Sequence, residues 1–183
     1  MQEKRGKSPK TAKTTWFDSD YEEEKKLFYE KGLHFTCTGC STCCRYESGY
    51  VFLSKSDVSR LLIFLKMDNK AFLEQFCRWI PSLSDTEQLS LDEKSDYDCV
   101  FWSQSAQNGK GGCLVYDARP LQCRAFPFWS TVVYDLNSWK ATSRECPGMD
   151  KGALHTKDSI EKWLAMRRNE PIITRGKEKR GSI

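Results

Sequence analysis

The chain has 183 residues, of which 39% are hydrophobic and 30% charged, enough for one domain with a modest core and too apolar for a purely solvated chain. Its longest apolar run, LLIFL at 61–65, is far too short to cross a bilayer, and residues 1–16 contain no apolar leader stretch, so the sequence points to a cytoplasmic protein with no membrane partner. The net charge of +4 is unevenly placed: residues 1–15 and 167–183 each carry +4, and the body between them carries −4.

This distribution divides the chain into a disordered basic tail over 1–15, a domain over 16–170 and a second disordered basic tail over 171–183. The tails suit an acidic protein partner, whereas the net-acidic body argues against nucleic acid. In chain order, Ser19 and Glu22 form a capping box for a helix that Gly32 terminates. A cysteine cluster follows at once. Ser54 and Asp57 then cap a helix ending near Met67, and Asn69 caps a second one running through Trp79, which Pro81 stops. From Asp85 to Trp139 the character changes. Here DCVFW, CLVYD and STVVY are rich in aromatic and β-branched residues and read as strands of a short antiparallel sheet. NGKGG, residues 108–112, lacks phosphate-loop spacing and reads as the connection between the first two. Residues 156–168 place Ile160, Trp163, Leu164 and Arg167 on one side of a last helix. The fold class expected is therefore α+β: a small, loop-rich, metal-stabilised domain with a few helices and a short antiparallel sheet.

Nine cysteines dominate the chemistry. In a reducing compartment that density points to metal or redox chemistry rather than to disulfides, and an odd count pairs poorly. Cys37, Cys40 and Cys43 follow one another at x2 spacing, which lets a turning chain bring thiolates to one ion. Cys146-Pro147 has the form of the distant fourth ligand of a ferredoxin-type iron-sulfur loop. Cys44 complicates the picture, because adjacent side chains diverge and both are poor candidates for terminal ligands of one mononuclear site. Either two centres exist or one thiolate bridges two metals. Cys77 lies beside Leu73, Phe76 and Ile80 in the second expected helix and reads as a buried apolar side chain. The remaining eight, Cys37, Cys40, Cys43, Cys44, Cys99, Cys113, Cys123 and Cys146, make two sets of four. Zinc bound by structural thiolates contributes roughly 10 to 16 kcal/mol, comparable with the whole stability of a domain, so stripping the metal should leave the chain partly folded at best.

These residues also carry a resemblance. The cluster C37-x2-C40-x2-C43-C44, then Phe52-Leu53 leading into a helix with Asp57, then Cys99, CLVYDARPLQCRAFPF from Cys113 to Phe128, and Cys146-Pro147-Gly148 resemble the YkgJ-like cysteine-cluster proteins, the zinc- or iron-chelating CxxCxxCC domain family. The resemblance spans roughly residues 33–150. It implies that the eight motif cysteines are the ligands and that the cofactor is zinc or an iron-sulfur cluster. It also includes a flagellin lysine N-methylase among the relatives, which implies an enzymatic alternative.

Within RPLQCRAFPF, Arg119 and Arg124 flank Cys123. They either bind an anionic substrate or the cluster itself, as cofactor-binding residues, or tie the turn to nearby carbonyls. Arg45 and Arg144 also stand close to cysteines and can offset thiolate charge. Tyr116, Phe126, Phe128 and Trp129 read as packing around the metal centre. The leading function is metal binding at sites closed by four thiolates, which leave no open position for catalysis. An iron-sulfur redox protein or a methyl-transferring enzyme is the alternative. Against the enzyme, the chain has no GxGxxG turn, and its two histidines, His34 and His155, sit in polar surroundings.

Overall fold

The computed structural model of the chain describes residues 27–176. The start of the helix expected from Ser19 lies outside that range. Residues 28–31 make a turn, closed by the Gly32 amide donating to the Tyr29 carbonyl at 2.8 Å. Gly32 has φ +83, and a Cβ there would meet the His155 carbonyl oxygen at 2.5 Å, so only glycine fits.

The first strand, β1 (Leu33–Phe35), pairs antiparallel with β6 (Met149–His155), with Leu33 opposite His155 and Phe35 opposite Met149. Between them the chain forms α1 (Lys55–Leu65), α2 (Asn69–Phe76), β2 (Cys77–Pro81), β3 (Thr86–Leu91), β4 (Trp102–Ser103), the short helix α3 (Ala106–Gly109), β5 (Gly112–Cys113), α4 (Leu121–Ala125) and α5 (Leu136–Ser143). After β6 come α6 (Lys157–Asn169) and β7 (Thr174–Gly176). The sheets are small and antiparallel: β1-β6, β2-β3-β7 and β4-β5. The domain is α+β.

Local signals place α1 and α6 as expected. Ser54 and Asp57 form a full capping box at α1, and Thr156 accepts from the Ser159 amide at α6. Elsewhere the structure corrects the expectations. The second helix is capped by Asp68, not Asn69, and ends at Phe76. Cys77–Pro81 is strand instead, because its backbone pairs with Thr86–Leu91, Cys77 facing Leu91 and Pro81 facing Glu87. STVVY is a turn: the Val132 and Val133 amides both donate to the Trp129 carbonyl at 2.9 Å, which folds the segment back on itself. DCVFW and CLVYD do pair, but through Trp102 and Cys113 alone, with Ser103 and Gly112 beyond them making the second and last pair. The chain beyond Pro171 is not wholly tail. The Ile173 amide donates to the Leu53 carbonyl, Ile172 bridges to Ser54, and Thr174–Gly176 pairs with β3, closing the main sheet.

Two apolar clusters result. One gathers Leu53, Val58, Leu61, Phe72, Leu89, Leu91, Phe101 and Val115 around α1, α2 and the main sheet. The other gathers Tyr29, Phe128, Val132, Val133, Trp139, Met149 and Ile160 around α5, β6 and α6. Cys99 and Cys113 pack on the first and Cys146 on the second, so the cysteines occupy the seam between two cores. Among the described residues no helix is long and apolar enough to cross a membrane.

Candidate metal centre

All nine cysteines are free thiols. The eight singled out above line two adjoining cavities, of about 530 and about 70 Å³, and Cys77 lines neither. Cys77 instead packs on the first apolar cluster, where burial pushes its thiol up to about 12. Its role as an apolar side chain survives the change from helix to strand.

The cysteine-bearing segments are positioned by different devices. The loop from Thr36 to Arg45 has little regular structure, so tethers at its two ends set its place. At the start, the Thr36 amide donates to the Gly148 carbonyl at 3.1 Å. The contact is so close that a Cβ on Gly148 would meet the Thr36 carbonyl oxygen at 2.3 Å. At the end, the Cys99 amide donates to the Cys44 carbonyl at 2.8 Å. Arg45 reinforces this second tether, its Nε lying 3.0 and 3.1 Å from the two carboxylate oxygens of Asp98 while its guanidinium stacks 3.6 Å over the Trp102 ring. Cys113 comes to the site because it pairs with Trp102 across β4-β5.

Cys123 is held by a buried polar network. The Asp57 carboxylate, wholly buried at the start of α1, accepts from the Ser54 amide and hydroxyl, from Arg60 Nη1 and, at 2.7 Å, from the Leu121 amide, the first residue of α4. One acid thus caps its own helix and pins the helix that carries Cys123. The neighbouring Gln122 adds a clamp, accepting from the Phe52 amide at 3.0 Å and donating to the Tyr50 carbonyl at 2.7 Å. The capping role of Asp57 is legible in the sequence. Its reach to Leu121, 64 residues on, and the Gln122 clamp have no local signal.

Electrostatics show what the thiols lack. Burial raises Cys99 to about 11 and also raises Cys113, Cys123 and Cys146; for Cys123 the neighbouring thiols Cys99, Cys43 and Cys113 push in the same direction. Cys43 and Cys44 sit with Sγ atoms 3.7 Å apart, and the hydrogen bond between them lowers Cys43 to about 7 while raising Cys44. Thiols that burial and mutual repulsion hold protonated become thiolates when a cation takes their charge, which is the chemistry of a zinc or iron ligand set. Among the described residues, no three Cys, His, Asp or Glu side chains stand close enough to hold one ion as they are placed. Cys37, Cys40 and Cys43 are the exposed members and lie between Thr36 and Arg45.

The arginines separate. Arg119 lines the smaller cavity, donates from Nε to the Tyr116 carbonyl at 2.8 Å and stacks on the Tyr116 ring. Arg124 lines neither cavity; it lies in the field of Arg60, Asp57 and Glu170, with Nε buried and unpartnered. Arg144 is exposed away from both cavities. Phe126 and Trp129 line the larger cavity and Tyr116 the smaller one, whereas Phe128 belongs to the second apolar cluster. His34 Nδ1 pairs with the Gly152 carbonyl and His155 Nε2 with the Phe35 carbonyl, so both histidines brace the β1-β6 pair.

The model of the CxxCxxCC family, whose description reads "Putative zinc- or iron-chelating domain", matches residues 36–147. The chain belongs to the CxxCxxCC family. The CxxCxxCC match opens one residue before Cys37 and closes one residue after Cys146, so it encloses all eight cavity-lining cysteines. Its function class is metal binding, with zinc or iron as the metal. A search of solved structures finds none that matches.

Proposed function

We propose that the protein binds zinc or iron through Cys37, Cys40, Cys43, Cys44, Cys99, Cys113, Cys123 and Cys146, in a cytosolic setting where these thiols stay reduced. The observation that carries this reading is the sorting of the nine cysteines. Eight drawn from five separate segments converge on two adjoining cavities, while the ninth packs in a core. Core packing alone would not gather apolar-equivalent thiols around open space, and none of them is paired as a disulfide.

The order Cys37-x2-Cys40-x2-Cys43 with Cys146-Pro147 favours iron-sulfur for part of the set, and the fourfold thiol count suits zinc equally well. Purification without oxygen, followed by metal analysis and a visible spectrum, separates the two: zinc is colourless, and an iron-sulfur cluster absorbs broadly. Cys77→Ser should leave the metal content unchanged, and Cys123→Ser should lower it. A chain that carries neither zinc nor iron, or whose content is insensitive to Cys123→Ser, would remove this reading.

A further inference from the structure

Two of the thiols touch. Cys43 and Cys44 hold their Sγ atoms 3.7 Å apart, while among the described residues no three Cys, His, Asp or Glu side chains stand close enough to share an ion. The pair sits on a single 3-10 turn, Thr42–Cys44, bracketed by two residues with positive φ, Ser41 at 65 and Tyr46 at 75. Cys44 is held from both sides: its amide donates to the Ser41 carbonyl and its carbonyl accepts from the Cys99 amide, each at 2.8 Å, and Arg45 beyond it is tied to Asp98 and Trp102. Cys43 is the exposed member and Cys44 the half-buried one. Both line the larger cavity, whose volume of about 530 Å³ is that of a small-molecule site and takes the end of a small organic disulfide.

Two thiols this close are also a redox couple. A disulfide bond is about 2.0 Å long, so the Sγ atoms need to approach by only about 1.7 Å. The bond so formed is strained. Adjacent Cα atoms lie about 3.8 Å apart, below the roughly 4.4 to 6.8 Å that a relaxed disulfide spans, and strain of this kind makes the bond easier to reduce. A strained disulfide within reach of solvent has the potential of a labile, regulatory bond and not of a structural one.

We propose that Cys43 and Cys44 form a reversible redox switch that closes to a disulfide when low-molecular-weight disulfides accumulate. The Cys43 sulfur gives its proton to solvent and attacks one sulfur of the small disulfide. The small thiolate that leaves takes up a proton, and a mixed disulfide remains on Cys43. The Cys44 sulfur then loses its proton and displaces the second small thiol. Two protein sulfurs are oxidised, the two sulfurs of the small disulfide are reduced to thiols, and no other reactant is needed. Excess small thiol runs the sequence backwards. The consequence for the site rests on the metal-binding reading above: the closed pair withdraws two of the eight thiols, both of which line both cavities, so the oxidised chain takes up less metal.

The test uses the full chain, reduced and stripped of metal, incubated with oxidised glutathione and then alkylated. Trypsin releases residues 32–45 as one peptide, and its fragment ions should place the loss of two hydrogens on Cys43 and Cys44, with Cys37 and Cys40 alkylated. Cys44→Ser, a change that hardly alters the side chain's size, should stop at the first step and keep one glutathione on Cys43. An excess of reduced glutathione should restore both thiols. Metal uptake is read separately: the oxidised chain should bind less zinc than the reduced chain and recover on reduction. Pairing of either residue with a different cysteine, or glutathione remaining on Cys43 of the unaltered chain, would overturn the switch. Equal zinc uptake by the two forms would overturn its effect on the site. A reduced chain that takes up neither zinc nor iron would remove the metal-binding reading, and the peptide masses would still decide the pairing.

Discussion

Replacing Asp57 with alanine removes the one acid that holds α1 and α4 together. The substitution deletes the capping interaction with the Ser54 amide and strands the buried Leu121 amide, which has the carboxylate at 2.7 Å as its acceptor. It also removes the carboxylate that Arg60 meets at 3.0 Å, leaving Arg60 its bond to the Arg119 carbonyl at 3.2 Å. A lost helix cap costs about 1 kcal/mol, and a buried amide left unsatisfied costs about 1 to 3 kcal/mol. Arg60 is partly exposed and adds little, since solvent screens the pair. The expected loss is about 2 to 4 kcal/mol, a large fraction of a typical domain's stability of about 5 to 15 kcal/mol. Urea unfolding of the metal-loaded protein measures it, with metal analysis in parallel because the start of the Cys123 helix is freed at the same time. Asp57→Asn, which retains one acceptor oxygen, should lie between. A loss below about 1 kcal/mol for Asp57→Ala, with metal content unchanged, would refute the argument that this carboxylate positions Cys123.

Gly148→Ala drives a methyl group against the Thr36 carbonyl at 2.3 Å and should cost at least about 1 to 3 kcal/mol; thermal unfolding of the variant measures it, and an unchanged melting temperature would contradict the tether. Arg78, donating to Glu93 at 2.8 Å, holds that carboxyl down to about 2, with the Gly49 amide and the Ser48 hydroxyl assisting. Because the folded value lies below the ordinary one, the stability from Glu93 is complete above about pH 4.5 and is lost as pH falls toward 2. After discounting for solvent, its contribution is about 1 kcal/mol, so Glu93→Gln should lower stability at pH 7 by about that much and flatten the acid limb of the stability profile between pH 4.5 and 2. Parallel acid limbs for the two proteins would rule this out.

The parts of the fold legible in the sequence are those specified by neighbours along the chain. Ser54 with Asp57 and Thr156 with Ser159 satisfy the first amides of their helices within one turn, so α1 and α6 can be read locally. Cys77–Pro81 could not be. Leu73, Phe76, Cys77 and Ile80 fit a helical stripe, and pairing with Thr86–Leu91, visible only in three dimensions, overrides it. STVVY fails for the opposite reason: its β-branched residues favour a strand, yet the Trp129 carbonyl draws the Val132 and Val133 amides into a turn. Thr174–Gly176 reads as tail because its few residues carry no apolar alternation, and it becomes strand by pairing with β3.

The candidate site divides along the same line. Which cysteines belong to it followed from spacing and from the chemistry of thiols, and Cys77 was separable by its apolar neighbours alone. How they are tethered did not follow, because the Thr36–Gly148 and Cys44–Cys99 hydrogen bonds each join distant parts of the chain. Arg119 and Arg124 look equivalent on either side of Cys123, but Arg119 precedes α4 and lines the cavity, whereas Arg124 lies within α4 in the field of Arg60, Asp57 and Glu170.

The β1-β6 pair has a bearing on how this domain is handled as a piece of protein. The family match covers 36–147, whereas Phe35 meets Met149, and Ile160 and Trp163 of α6 complete the second apolar cluster. A fragment cut at the motif boundaries would keep every candidate ligand and lose the clasp that shuts around them. Such a fragment would have to obtain from its metal the closure that residues 29–35 and 149–164 supply to the longer chain. The unit that behaves as a domain is thus wider than the unit that carries the chemistry, and the boundary of the motif is a poor place to cut.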